Sequence, residues 1–265
     1  MENNIYIQET PYGHFCLIEQ DIISENIKRF GVWEQHLYIF YSKMIKPEYY
    51  IIDGGANIGF HSVQFAKLAT KGKVLCYEVQ NYIYNVLCTN ILINGLSSRV
   101  EQYRLGLGDD SKENLLKPDS LDKQISSDGF INYGGPGLVN AEEGEETIPI
   151  IGIDSLNLPR LDLIKLDIQG MEYDTLIAAE KTIKKYKPIL FLEIGICSAS
   201  KWNREHGDDS LPPVHQMVFD LLKDWGYSDY QIKINGKYPG DTIFLNPSKH
   251  HEEVKIFNTI ISEIQ

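Results

Sequence analysis

Glycines follow Asp53 at short spacing in the segment Asp53-Gly54-Gly55-Ala56-Asn57-Ile58-Gly59. An apolar run, Tyr50-Ile51-Ile52, precedes this segment, and a helical pattern follows it through Ala69. Glycines at a turn from a strand to a helix let the backbone bend sharply and let a ligand approach the helix N-terminus. Asparagine also tolerates left-handed backbone angles better than most residues. We therefore expect four residues of this loop to bind a cofactor, namely Gly54, Gly55, Asn57 and Gly59.

Glu78 follows the next apolar run, Val74–Tyr77, and lies 25 residues after Asp53. A carboxylate at this place would accept hydrogen bonds from two ribose hydroxyls, in NAD and in S-adenosylmethionine alike. Asp53 separates the two cofactors, because its charge would repel the pyrophosphate of NAD and favour the ammonium and sulfonium groups of S-adenosylmethionine. The pattern predicts S-adenosylmethionine bound by Asp53 and Glu78. The alternative, in which both carboxylates only cap helices, stays open.

Asp167 ends a further apolar run, Leu161–Asp167. Because the carboxyl ends of parallel strands line the ligand crevice of doubly wound sheets, Asp167 is the leading candidate for a general base. Lys165 lies two residues earlier on the same strand face, where it could orient Asp167 or form an ion pair that only serves packing. Glu193, at the end of a later strand, and Glu172, in the first turn of a helix, are further catalytic candidates. Glu172 could instead favour its helix N-terminus electrostatically.

Asp167 and Glu193 could also supply oxygen ligands to a divalent cation, but no compact metal signature accompanies them, and we expect no metal. The four cysteines show neither a C-x-x-C pair nor a histidine at zinc-finger spacing, which favours small buried residues in a reducing compartment. His61, beside the glycine loop, is a secondary candidate for a base, because a lone histidine is more often packed or solvated.

Short apolar runs alternate with helical periodicity from Tyr49 onward, which is typical of a parallel sheet with helices on both faces. The helix after Asp167 should bury Leu176, Ala179, Ile183 and Tyr186, and another should open at Pro212-Pro213. Asn235-Gly236 predicts a hairpin that closes the sheet with an antiparallel edge. We expect an α/β, Rossmann-like, mostly parallel sheet of seven strands: Tyr50–Ile52, Val74–Tyr77, Val100–Leu107, Leu161–Asp167, Ile189–Glu193, Tyr230–Ile234 and Thr242–Leu245.

We expect one domain over residues 1–265, with an N-terminal lead-in at 1–48 and a core at 49–265. An irregular, acidic excursion over 110–146 interrupts the core, and loops of this length are usually functional lids or partly disordered.

The net charge of −12 and the scattered basic residues argue against a nucleic-acid substrate. No signal-peptide pattern opens the sequence, and no apolar run reaches the roughly 20 residues that span a bilayer. We expect a cytoplasmic protein without a membrane span, and whether it forms a homo-oligomer stays open.

The sequence resembles the FkbM-type methyltransferases over most of its length. That resemblance implies the class I methyltransferase fold, S-adenosylmethionine as cofactor, and methylation of hydroxyls on sugars, glycans or other small molecules. It also assigns Gly108 and Asp109 to cofactor binding. The matching segments are Asp21-Ile22-Ile23, Gly31–Glu34, Asp53–Gly59, Gly106–Asp109, Ile153–Leu156, Leu161–Glu172 and Lys187–Glu193.

Two positions depart from the family pattern. Asp167-Ile168-Gln169-Gly170 stands where the family usually has Asp-x-Glu-Gly, and Val79 replaces a proline after Glu78. The loss of an acid at Gln169 and the acidic excursion leave open an alternative, a non-catalytic cofactor-binding module of the same fold. An NAD-dependent oxidoreductase is a second alternative, which Asp53 disfavours. For a sugar acceptor, Trp33 and Tyr133 are candidate stacking residues.

Overall fold

A computed structural model describes residues 4–110, 116–119, 125, 129–142, 145, 147–194, 214–232 and 240–264. The strands are β1 (Ile5–Thr10), β2 (Gly13–Ile18), β3 (Tyr50–Gly54), β4 (Lys73–Tyr77), β5 (Val100–Tyr103), β6 (Gly106–Leu107), β7 (Leu116–Pro118), β8 (Leu138–Asn140), β9 (Ile150–Ile151), β10 (Leu163–Leu166), β11 (Ile189–Glu193), β12 (Ser228–Gln231) and β13 (Asp241–Leu245). The helices are α1 (Ile22–Phe30), α2 (Gln35–Met44), α3 (Phe60–Leu68), α4 (Asn81–Ile93), α5 (Glu172–Ile177), α6 (Glu180–Tyr186), α7 (Val214–Asp224) and α8 (His251–Ile264).

The residues group into two compact units. The first unit comprises Met1–Tyr49, Gly55–Gly106 and Asn114–Pro149, and the second comprises Tyr50–Gly54, Leu107–Glu113 and Ile150–Gln265. In the second unit, β10 pairs in parallel with both β3 and β11, and β13 and β12 continue the sheet in antiparallel. In the first unit, β4 and β5 pair in parallel. These are the seven strands of a mostly parallel central sheet with an antiparallel edge, which confirms the predicted fold class.

The N-terminal lead-in contains a hairpin, β1 and β2, that the sequence reasoning missed. Asn90 of α4 and Asn94, the residue just after α4, form hydrogen bonds with the backbone of β2. Asn90 Oδ1 accepts from Cys16 N at 2.6 Å, and Asn90 Nδ2 donates to Cys16 O at 3.2 Å and to Ile58 O at 2.7 Å. Asn94 makes the same kind of pair with the backbone of His14. Asn90 therefore ties the hairpin to the glycine loop, which contains Ile58.

The single helix predicted after Asp167 is wrong, because α5 ends at Ile177 and α6 begins at Glu180. Asp154 replaces the backbone hydrogen bond from Thr182 N to Ala178 O that would join the two helices into one. Ala178 O accepts from Asp154 N at 2.9 Å, and Thr182 N donates to Asp154 Oδ1 at 2.7 Å. The predicted apolar face is nevertheless buried at Leu176, Ala179 and Ile183, while Tyr186 is half-buried.

The third predicted strand is also divided, into β5 and β6, because β6 leaves the central sheet and pairs with β9. The excursion carries regular structure, since β7 pairs with β8 and Ile131 N donates to Gln20 O. Strand β12 begins at Ser228, earlier than predicted. Pro212-Pro213 and the Asn235-Gly236 turn lie outside the described residues, as does Cys197; Cys16 and Cys76 are buried and Cys88 is half-buried.

Across the described ranges, no helix is both long enough and apolar enough to cross a membrane.

Replacing Asn90 by alanine should lower the free energy of unfolding by roughly 2–4 kcal/mol, because it leaves buried backbone groups of Cys16 and Ile58 without a partner. Asn94→Ala is the matched control, since its bonds to His14 lie at the surface and water can replace them. We expect it to cost less than about 1 kcal/mol. Urea unfolding of the three proteins measures the difference, and equal losses in both variants would contradict this account of the hairpin.

Candidate active site

The glycine loop turns through left-handed backbone conformations in the first unit. Gly55, Asn57 and Gly59 have φ angles of 69°, 50° and 83°. Gly55 N and Ala56 N both donate to Tyr77 O at 3.0 Å, which holds the loop at the end of β4. The left-handed conformation expected of Asn57 is therefore confirmed.

Glu78 is bound to the same loop from the end of β4. Its Oε2 accepts from Asn57 N at 3.0 Å, and its Oε1 accepts from Gln80 N at 2.9 Å. Gln80 is the N-cap residue of α4, so Glu78 contacts a helix N-terminus, as the helix-capping alternative expects. These two backbone amides hold the carboxylate of Glu78 in a fixed orientation at the end of β4.

Three of the predicted cofactor glycines pack closely against neighbouring side chains. A Cβ on Gly54 would lie 2.8 Å from Leu166 Cδ2, and one on Gly59 would lie 2.5 Å from Leu87 Cδ1. A Cβ on Gly108 would lie 3.0 Å from a methyl group of Ile150. Packing alone accounts for these glycines, so their contact with a cofactor stays a prediction, as it does for the half-buried Asp109.

The excursion reaches the glycine loop within the first unit. Gln80 Nε2 donates to Tyr133 O at 2.6 Å, and a Cβ on Gly134 would lie 3.6 Å from Asn57 Nδ2. The segment around Tyr133 therefore lies against the glycine loop and the start of α4. Tyr133 itself is only 3% exposed, so its ring is not available to stack on a sugar, whereas Trp33 is half-buried.

In the second unit, Lys165 lies between two carboxylates. Its Nζ is 3.5 Å from Asp53 Oδ1 and 3.7 Å from Asp167 Oδ2. Strands β3 and β10 place Asp53 directly opposite Lys165. The side chains of Asp53 and Lys165 are 0% and 6% exposed, whereas that of Asp167 is 31% exposed. Asp167 is therefore the member of this group that an acceptor molecule can reach.

The ion pair changes one electrostatic argument from the sequence. The charge of Asp53 is expected to favour a cationic ligand, and Lys165 compensates part of that charge. The geometry also allows Lys165 both of its predicted roles, since it reaches Asp167 as well as the buried Asp53.

Gln169 joins Asp167 to Glu193, a contact that sequence reasoning missed. Gln169 Nε2 donates to Asp167 Oδ1 at 2.7 Å and to Glu193 Oε2 at 3.2 Å. From the sequence alone, glutamine in place of the family's glutamate at position 169 indicates only the loss of an acid. A primary amide offers two donors, which is the signal that could have identified a bridge between two strand-end carboxylates.

Glu172 lies beneath the turn that carries Gln169. Its two carboxylate oxygens accept from Ile168 N at 3.1 Å and from Gly170 N at 3.0 Å. Burial, opposed by these backbone bonds and assisted by the charge of Asp167, raises the pKa of Glu172 to about 7. Its position in the first turn of α5 and its fixed contacts make Glu172 a support for the turn rather than a group open to substrate.

His61 is removed from the set of candidate bases by its contacts. Its Nε2 lies 2.9 Å from Glu34 Oε2 and its Nδ1 lies 3.3 Å from Gln64 Oε1. It is buried and packs against the rings of Tyr41 and Phe65. Among the residues that the structure describes, no three His, Cys, Asp or Glu side chains are grouped so that they could hold a metal ion.

The raised pKa of Glu172 should make the protein less stable as the pH rises. Folding favours the protonated carboxyl group, so its contribution is complete below about pH 4.5 and is lost as the pH passes about 7. Relative to Glu172→Gln, the wild-type free energy of unfolding should fall by roughly 2–3 kcal/mol between pH 4.5 and pH 8.

Glu180→Gln, at the exposed start of α6, is the control and should follow the wild-type curve. Urea unfolding at several pH values gives the comparison. Parallel curves for wild type and Glu172→Gln would show that the pKa of Glu172 is not raised.

Comparison with known proteins gives a family for this arrangement. The sequence signature of the Methyltransferase FkbM domain matches residues 53–228, which include the glycine loop, Glu78 and the Asp167–Glu193 region. The Methyltransferase sdnD of Sordaria araneosa is 26% identical over 153 residues, which are 48% of this chain and 59% of that protein. The chain therefore matches less than two thirds of the length of this relative.

Solved structures are similar at low identity. The Methyltransferase FkbM of Methylobacillus flagellatus KT has 15% identity and a TM-score of 0.48, over 84% of this chain and 59% of that chain. The O-methyltransferase of Bacillus cereus in complex with SAH has 15% identity and a TM-score of 0.49, over 80% of each chain. The match over residues 53–228 covers more than half of the sequence, and the chain belongs to the Methyltransferase FkbM domain family.

Proposed function

We propose that this protein is an S-adenosylmethionine-dependent O-methyltransferase that acts on a hydroxyl group of a sugar, a glycan or another small molecule. The observation that carries the proposal is the carboxylate of Asp167, which stays partly exposed while Lys165 and Asp53 beside it are buried. Family membership supports methyl transfer as the reaction class.

Glu78 is the residue that we assign to the ribose of the cofactor. Its oxygens are held by Asn57 N and Gln80 N, so accepting hydrogen bonds from the ribose hydroxyls would cost little reorganisation. When bound, S-adenosylmethionine supplies a methyl group on a cationic sulfur. The carboxylate of Asp53, whose charge Lys165 offsets only in part, disfavours the pyrophosphate of NAD.

Asp167 is the residue that we assign to the acceptor. A protonated alcohol is a weak nucleophile, and Asp167 would accept the proton as the carbon–oxygen bond forms. Lys165 and Gln169 each contact one oxygen of this carboxylate, which fixes its orientation. The role of the protein is then to align an oxygen with the methyl group and to receive one proton.

We assign the covering role of the excursion to the segment around Tyr133, because Gln80 binds it beside Asn57. The excess of carboxylates over ammonium groups around Asp167 disfavours a negatively charged acceptor, which supports our expectation that nucleic acid is not the substrate.

Calorimetric titration with S-adenosylmethionine and with NAD tests the cofactor. We expect S-adenosylmethionine to bind and Glu78→Ala to weaken its binding by roughly 10- to 100-fold, since about two hydrogen bonds to a charged group are lost. Glu101→Ala is the control, because Glu101 is exposed in the same unit and pairs with Lys73. Binding of NAD instead would favour the oxidoreductase alternative.

Asp167→Asn should lower kcat for methyl transfer by roughly 10²- to 10⁴-fold, because the amide cannot accept the hydroxyl proton. Binding of S-adenosylmethionine should change less than about twofold. Asp220→Asn, on the exposed face of α7, is the control. Wild-type protein that binds the cofactor but transfers no methyl group to any hydroxyl acceptor would support the non-catalytic module.

A further inference from the structure

The amide of Gln169 occupies the space between the ends of two neighbouring strands. Strand β10 leads into Asp167 and β11 ends at Glu193, and Leu166 pairs with Leu192 just before them. The two carboxylates therefore meet at one edge of the sheet. The Nε2 group of Gln169 gives one hydrogen bond to each, at 2.7 and 3.2 Å.

The backbone is strained at Gln169, the residue whose side-chain amide bridges the two carboxylates. Gln169 has a φ of 54°, a left-handed conformation that disfavours a residue with a Cβ, and Gly170 follows with a φ of 108°. Glu172 accepts from the amides on either side of Gln169, those of Ile168 and Gly170. Strain of this kind persists where surrounding contacts hold it, and it concentrates at functional sites.

Two carboxylates at the ends of neighbouring strands repel one another, so the pair needs a shared proton, a bridging cation or neutral donors. Lys165 Nζ lies 3.7 Å from Asp167 Oδ2 and offsets part of this repulsion. A proton on Asp167 would remove the base that the proposed function requires. A cation would bind the oxygens that an acceptor hydroxyl must reach. The Gln169 amide supplies two donors and carries no charge, so it satisfies both carboxylates without either consequence.

We propose that Gln169 is a positioning residue that takes the place of a bridging cation, keeps Asp167 and Glu193 both ionised, and thereby makes this site independent of divalent metal. The inference rests on the proposed role of Asp167 as the base. Replacing the amide by a third carboxylate should make the site bind divalent metal. Three carboxylates would then converge, and Mg²⁺ and Mn²⁺ prefer oxygen ligands of this kind.

Titration of the full chain with MgCl₂ and with MnCl₂, followed by calorimetry, tests this directly and needs no methyl transfer. Gln169→Glu should bind Mn²⁺ at least about tenfold more tightly than wild type does. The double variant Gln169→Glu/Glu193→Gln exchanges the acid and the amide, keeps the net charge, and should return to wild-type behaviour. Wild-type binding as tight as that of Gln169→Glu, or no gain in a folded Gln169→Glu, would overturn the inference.

Gln169→Leu provides the second variant, which covers a failure of Gln169→Glu to fold. Without the amide donors, the pKa of the base should rise, and the acid limb of the methyl-transfer rate against pH should move up by about one pH unit. An unchanged acid limb would overturn the inference. If Gln169→Glu gains metal binding but wild type transfers no methyl group, the result counts against the proposed function alone. If wild type transfers a methyl group but Gln169→Glu gains no metal binding, the result counts against the inference alone.

Discussion

The ion pair between the buried ammonium group of Lys165 and the carboxylate of Asp53 is the interaction on which the second unit depends. A charge this deeply buried is tolerated only beside opposite charge, and removing one partner of such a pair typically costs about 3–5 kcal/mol. The parallel register of β3 and β10 provides that partner by setting Asp53 opposite Lys165. Because Lys165 also reaches Asp167, the same register fixes the carboxylate at the end of the strand.

The turn after β10 shows how a neutral side chain can organise acidic groups. Gln169 is held left-handed by the contacts of Glu172 with its neighbouring amides, and its own amide then bridges Asp167 and Glu193. These four hydrogen bonds form one connected network, in which backbone strain is balanced by hydrogen bonds to charged groups. In the first unit, Asn90 performs a comparable role between the hairpin and the glycine loop.

Much of this could be predicted from the sequence, because it depends on local patterns. The apolar runs before Asp53, Glu78 and Asp167 gave the strands, and the glycine loop gave the left-handed turn at Asn57. The bounds of β11, Ile189–Glu193, were predicted without error. These features follow from residues close together in the chain, where periodicity and turn chemistry are informative.

What the sequence did not reveal depends on residues far apart in the chain. The pairing of Lys165 with Asp53 requires the register of two strands that are more than a hundred residues apart. The break between α5 and α6 is caused by Asp154, which lies outside the helix, and no signal within the helix predicts it. Gln169 was read as a missing acid because its partner Glu193 is brought close only by the fold.

The most direct test of O-methylation is to identify the atom to which the transferred methyl carbon becomes bonded. Wild-type protein would be incubated with S-adenosylmethionine carrying a ¹³C-labelled methyl group and with a panel of neutral sugars and polyols, followed by ¹³C NMR of the products. An O-methyltransferase should give a new methyl carbon bonded to oxygen. A methyl carbon bonded to nitrogen or carbon, or no product from a protein that binds the cofactor, would contradict it.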